Sequence, residues 1–406
     1  MQRGILGRNY QHSKLVGGVL LTNNDPSSAN GVFAMEFRRP LYSSTNRTKS
    51  ASNGKVKNCK PVHEEDEDFS EVTENIYVKQ EVEFKFKKSV FFYNSLIVCL
   101  GSDIHVENSQ PRRTQTTLFQ DKYISTISSI YINGDLKWLS ENFSQILNDS
   151  VAILDTNGNG YYVPKGSLLN VSINLQHSKT NDGKIRTNAR YATVWLDHGV
   201  NPFSEGYEYA ILVATDVNST EALRIDQTSG SPRYEVLYKN SSAHVVRFVN
   251  NTAGTLSMTY GYVFFNESVR LAKGPVKSVS AGCIVMAKID SPDFSQMSLS
   301  ISSPDLNYNT TKILNTSADN GINEYFYMRS QPVEISVYLT RPVVLQKLLV
   351  NGKPVAKLHY NHYVVVNSEG MQHKTTEENE IVFKNLVNGE SVEVFLRKVK
   401  NNIVTC

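Results

Sequence analysis

Four cysteines, two tryptophans and no surplus of either charge are what this 406-residue sequence offers where many proteins show their chemistry. The cysteines, Cys59, Cys99, Cys283 and Cys406, are far apart. No CxxC pair and no Cys/His spacing of a zinc site occurs, so a structural zinc module is excluded. Cys99 in "SLIVCLG" and Cys283 in "AGCIVMA" sit in apolar runs and read as buried thiols, while Cys59 and Cys406 lie in polar segments. Lys and Arg number 42 against 39 Asp and Glu, a net charge of +3, and no basic stripe is clustered. That balance speaks against a nucleic-acid partner. The longest apolar run, Val90 to Leu100, is broken at Asn94 and Ser95 and is too short to span a bilayer, so no membrane partner is expected. The opening "MQRGILGRNY" has no continuous apolar stretch of the signal-peptide kind. A GxSxG elbow, a P-loop and an HExxH helix are all missing, and no cofactor or metal is expected.

Helical periodicity is also scarce. Only "STEALRI", near 219–225, has the spacing of a short helix. What is present is alternation. "EVEFKFKK" puts Val82, Phe84 and Phe86 on one face and Glu83, Lys85 and Lys87 on the other, as a half-buried strand requires. "SVFFYNSLIVCLG" reads as the next, more buried strand. "KYISTISSIYING" and "GDLKW" predict strands either side of an Asn133-Gly134 turn. "LLNVSINLQH", "YATVWLDHG", "YEYAILVA", "YEVLYKN", "AHVVRFVN" and "TYGYVFFN" then recur with turn residues between them. Short strands at this spacing predict a large antiparallel sandwich. The composition shifts near 271–280, "LAKGPVKSVS", and shorter strands follow. We read a larger β domain over 1–270, with a polar insert at 43–74, and a smaller β-sandwich over 279–406. In the latter, Asn351-Gly352 makes one hairpin and "VFKNLVNGESVEVFL" another.

The tempting sites dissolve on inspection. "LDTNGNGYYVP" opens like an EF-hand loop, with Asp155, Asn157 and Asn159 at positions one, three and five and Gly160 at six. Position twelve, which needs a bidentate glutamate, is Gly166, and apolar strand-like segments flank the loop where helices belong. A hairpin turn is expected there. The acidic run Glu64 to Asp68 within the insert reads as solvated charge. His198 and Tyr207 could in principle exchange protons, but their types and spacing fit strand ends, and a packing role is the simpler reading. Trp195 alternates within "ATVWLDH" and reads as core or groove wall, not as a sugar platform. Arg3, Arg8 and Lys14, with His12, make the N-terminal segment basic; such a patch could meet an acidic polymer, and plain solvated charge is the simpler reading. Ten N-x-S/T sequons, at Asn46, Asn142, Asn148, Asn170, Asn218, Asn240, Asn250, Asn266, Asn309 and Asn315, favour a secreted glycoprotein.

Several stretches, in order, carry a resemblance. They are "MQRG" at 1–4, "GVFAMEF" at 31–37, "TTLFQ" at 116–120, "YINGDLKW" at 131–138 and "LDTNGNGYYVP". "WLDHG" at 195–199, "YEYAILV" at 207–213 and "SPDLN" at 303–307 complete the set. Together they resemble the C-terminal β region of polysaccharide lyase family 8, the chondroitin ABC and AC lyases and hyaluronate lyases, with the ABC type nearest. The resemblance implies an all-β chain, a super-sandwich followed by a small sandwich, taken from a secreted enzyme that degrades glycosaminoglycans by β-elimination. It also implies a helical toroid as partner domain, carrying the catalytic His, Tyr and Arg. The assisting Glu lies upstream of the segment resembling "MQRG". No catalytic residue is therefore carried onto this chain, and Glu36 in "GVFAMEF" matches a strand position only. Three readings stay open: a lyase fragment, a stand-alone glycosaminoglycan-binding protein, and a structural module that kept the fold.

Overall fold

Alternating and doubly apolar strands assemble into four stacked antiparallel sheets. The computed structural model describes residues 13–22, 30–39, 82–108, 111–124, 128–137, 143–179, 186–252, 255–290, 295–304, 331–367, 379–387 and 389–399. Twenty-five strands occur among the described residues, numbered in chain order. Sheet I is an outer layer of order β5 (Arg113–Lys122), β12 (Arg186–Val200), β11 (Leu169–Lys179), β8 (Phe143–Leu147). Sheet II has nine strands, in the order β1 (Ser13–Leu21), β2 (Asn30–Arg39), β3 (Val82–Tyr93), β4 (Leu96–Asn108), β13 (Glu205–Leu212), β10 (Gly160–Val163), β9 (Val151–Leu154), β6 (Ile130–Ile132), β7 (Asp135–Lys137). Sheet III has eight: β14 (Tyr234–Lys239), β15 (Ala243–Thr252), β16 (Thr255–Phe264), β18 (Cys283–Ile289), β19 (Gln296–Ser302), β25 (Ser391–Lys398), β21 (Val343–Val350), β22 (Lys353–Pro354). Sheet IV closes the far side with β17 (Val276–Val279), β20 (Val333–Leu339), β24 (Asn379–Leu386) and β23 (Val364–Asn367).

Three apolar clusters glue the layers in the order I, II, III, IV. Phe119, Val171, Ile173 and Val194 of sheet I meet Cys99, Ile153, Tyr161 and Tyr209 of sheet II. The other face of sheet II, with Val32, Phe91, Val98 and Ala210, meets Val246, Phe248, Val263 and Met286 of sheet III. Tyr260, Tyr262, Val285 and Leu299 then face Ile335, Val337, Ile381 and Phe383 of sheet IV. Both faces of the central strands of sheets II and III are thus buried. That is the reason "LIVCL" and "CIVMA" are apolar without alternation, while β5 and β20 on the outer sheets alternate. Cys99 and Cys283 are buried free thiols, as the apolar runs predict. Burial pushes both upward.

Most local expectations are met. Asn133-Gly134 and Asn351-Gly352 turn two hairpins with φ of 51° and 81°, and 50° and 76°, the left-handed values that Asn-Gly tolerates. The expected helix is α1 (Val217–Thr228), whose N-cap Asp216 accepts the Ser219 N–H at 2.8 Å. A second short helix, α2 (Tyr360–Tyr363), was not expected. Two readings of strand connection need correction. "EFKFKK" and "SVFFY" are one strand, β3, with a bulge between Lys85 and Lys87 and the turn only at Asn94-Ser95. "VFKNLVNGESVEVFL" is not a hairpin, because β24 joins sheet IV while β25 inserts between β19 and β21 of sheet III. Sheet III also runs unbroken across 270–279: β16 pairs directly with β18, Met258 opposite Ile289 and Phe264 opposite Cys283. The intervening segment supplies β17 to sheet IV and returns.

Candidate functional site

Where the chain leaves sheet I for sheet II it makes a tight loop. Gly199, Asn201 and Ser204 take φ of 78°, 47° and 58° within six residues. This loop and the β10–β11 turn enclose a cleft of about 310 Å³, lined by Gly166 to Leu168, Leu196 to Gly199 and Glu205 to Tyr207. Leu168 in the lining is exposed, as are Val200 and Phe203 of the adjoining loop, Phe203 to 78%. His105 packs edge-on to the Phe203 ring at 5.1 Å.

The polar lining is already partnered. Asp197 accepts the Gly199 N–H at 2.9 Å, which holds the loop, and pairs with Arg113 at 2.8 Å. His198 is half-buried, and its Nε2 lies 2.8 Å from the Thr116 hydroxyl. Burial holds this imidazole below its ordinary range, against the opposing pull of Glu205 and Asp197. Tyr207 is buried, and desolvation pushes its phenol far upward, with Cys99 adding to the shift. A phenol so disfavoured as phenolate makes a poor base. The His198 and Tyr207 rings lie 6.1 Å apart, tilted by 38°, and pack as neighbours. Tyr207 lies over Gly101, where a Cβ would stand 2.1 Å from its ring. The packing role expected for this pair is what the geometry supports. The cleft can therefore hold a polar chain, with a half-buried imidazole and an Arg–Asp pair at hand.

The other candidates fall elsewhere. Arg3, Arg8 and His12 lie outside the described residues, as do Cys59, Glu64 to Asp68, Trp138 and Cys406. Lys14 stands in β1 opposite Glu36, with only its backbone described. Asp155 answers the calcium question. Its carboxylate is 4% exposed and is spent on its own loop, accepting the Asn157 and Asn159 N–H groups at 2.8 Å each and the Asn159 amide at 3.1 Å. Tyr161 donates to it as well, at 3.3 Å. The loop is the turn of the β9–β10 hairpin, Leu154 opposite Gly160. Arg113, Phe203 and Thr116 were not foreseen. Two segments distant in sequence, β5 and the loop after β12, bring them together, and only the "NPF" between two strands hinted at Phe203.

Residues 71–224 match the profile of the polysaccharide lyase family 8 super-sandwich domain, a span that holds all of sheet I and the cleft. The chondroitin sulfate ABC exolyase of Proteus vulgaris is 30% identical over 261 residues, covering 64% of this chain and 23% of that enzyme. The chondroitin sulfate ABC endolyase of the same organism is 27% identical over 203 residues, 50% of this chain and 19% of that one. Among solved structures, a Paenibacillus xanthan lyase superposes with a TM-score of 0.56 at 16% identity, over 97% of this chain and 32% of that enzyme, a likeness of fold alone. The chain thus matches about a fifth of the length of these curated relatives.

Proposed function

We propose that this chain, whose residues 71–224 match the super-sandwich domain of polysaccharide lyase family 8, is the β portion of a glycosaminoglycan lyase, supporting and lining the path of an acidic polysaccharide. The observation that carries the reading is the 261-residue similarity to a chondroitin sulfate ABC exolyase, which runs through the cleft. In such a β-elimination a base removes the C5 proton of a uronate and an acid protonates the departing O4. Neutralising the carboxylate makes that proton removable. His198 and Tyr207 are committed to Thr116 and to packing, so the acid and base come from the helical toroid that the family resemblance implies. The chain's own share is a rigid wall, with the cleft and the basic residues Arg3, Arg8 and Lys14 meeting the polyanion. Work on an extracellular polymer, together with sequons at turns such as Asn240 and Asn266, supports an extracellular setting. No helix of the described residues is long and apolar enough to cross a membrane.

The test is direct. Purified chain incubated with chondroitin sulfate is expected to release no unsaturated uronate, yet to be retained on immobilised chondroitin sulfate and eluted by salt. Turnover by the chain alone would overturn the division of labour. Passage without retention would overturn the substrate class.

A further inference from the structure

Sheet I ends the stack, so one of its faces meets sheet II and the other faces outward. Ala192, Val194 and Leu196 of β12 are buried inward, and strand alternation turns Tyr191, Thr193 and Trp195 outward. Cross-strand registers lay out their neighbours. Trp195 stands between Asn170 and Thr117, Thr193 between Ser172 and Gln120, and Tyr191 between Asn174 and Lys122. The amides are locked into a grid: Gln120 donates to the Gln176 carbonyl, and Gln176 donates to the Thr193 hydroxyl at 3.0 Å. Two aromatic rings thus sit four residues apart, roughly 14 Å along the strand, among amides and hydroxyls, with Ile146, 65% exposed, opposite Asn170 on β8. Both rings are half-buried, while Asn174, Gln120 and Lys122 are exposed. Trp195 Nε1 is shielded and has no acceptor, so the indole offers apolar surface rather than a hydrogen bond. The outward carboxylate beside this field, Asp197, is neutralised by Arg113, which among the described residues leaves Lys122, on the edge strand opposite Tyr191, as the charge facing out.

We infer that this face is a binding platform for an acidic polysaccharide, extending the cleft so that units of the polymer distant from it lie along β12. A pyranose ring has an apolar C–H face that packs on aromatic rings and an edge of hydroxyls that amides hydrogen-bond. Lys122 beside Tyr191 supplies charge complementarity for a carboxylate or sulfate group. Trp195 is two residues from Asp197, which lines the cleft, so the two surfaces are continuous along one strand. The choice of an acidic glycan rests on the function proposed above. The platform itself rests on the residues of sheet I.

The chain has two tryptophans, so Trp138→Phe leaves Trp195 as the single indole reporter. Protein made in a bacterial host, with the Asn170 sequon unmodified, is titrated with chondroitin sulfate and, separately, with xanthan. The expected result is a change in Trp195 emission on binding. Tyr191→Ala with Lys122→Gln is expected to weaken affinity about tenfold. Asn174→Ala, at an exposed position, weakens it further with an unchanged melting temperature. Polymer binding with a silent Trp195 and undiminished affinity in these variants would overturn the platform and leave the proposed function standing. Platform-dependent binding of xanthan but not of chondroitin sulfate would keep the platform and overturn the glycosaminoglycan reading. Binding of neither polymer overturns the platform.

Discussion

His244 shows how much one side chain is asked to do in a stack of sheets. It is fully buried between sheets II and III, with Nδ1 2.7 Å from the Ser89 hydroxyl and Nε2 2.8 Å from that of Ser102. Ser102 donates its own proton to the Asn240 carbonyl, so Nε2 must carry the hydrogen and Nδ1 must accept from Ser89. Burial, helped by Lys239 and Lys87, lowers this imidazole to about 3. A depressed histidine binds its proton more readily unfolded than folded. Stability therefore falls as pH drops below about 6.5 and goes on falling towards about 3, by at most about 1.4 kcal/mol per pH unit. Urea midpoints measured from pH 7 to pH 4 are expected to show this slope, and His244→Gln to flatten it. Asp155 offers a second check at the same scale. Asp155→Ala leaves two loop N–H groups and the Tyr161 hydroxyl without their acceptor and is expected to cost about 1–3 kcal/mol. Because the carboxylate is already saturated, millimolar calcium is expected to leave the melting temperature of the parent protein unmoved.

At the scale of elements, the outcome depends on how strands approach each other. β4 and β13 pair with Gly101 opposite Tyr207, and the Tyr207 ring occupies the space a Cβ would take. Gly101→Ala must push this buried ring off its seat. It is expected to cost about 1–3 kcal/mol and to open the cleft, which thermal melts and near-UV circular dichroism would register. The helix α1 is held by its cap and by Leu223, which reaches the cluster between sheets II and III. Asp216→Ala removes the side-chain acceptor for Ser219 and is expected to lower the urea midpoint.

At the scale of the molecule, the four layers share their cores in sequence, and the central strands of sheets II and III have no face of their own in water. The connection near 271–280 leaves sheet III only to add β17 to sheet IV. Cutting the chain at 270 would bare the β16 edge that β18 covers and half of the cluster between sheets III and IV. A 1–270 fragment is expected to be insoluble or to bind hydrophobic dyes. A soluble 1–270 fragment with native-like spectra would show that the larger domain stands without the rest.

Residue order alone determined most of the strands, the Asn-Gly turns, the helix α1 and the all-β class. Each follows from side-chain alternation, left-handed tolerance or capping within a few residues of itself. Even the calcium-like loop was legible as a turn, since its missing glutamate and its strand-like flanks are local facts. Sheet membership was not legible. β24 and β25 sit side by side in sequence with hairpin-like composition, yet they join different layers, because pairing partners such as β19 and β20 come from far along the chain. The cleft was legible only as "WLDHG" and "YEYAILV". Its Arg113, Thr116 and Phe203 came into place through the registers of sheet I and the strained loop. Whether Trp195 faced the core or the solvent was decided by the stack, since alternation names two faces and only tertiary packing says which of them is buried.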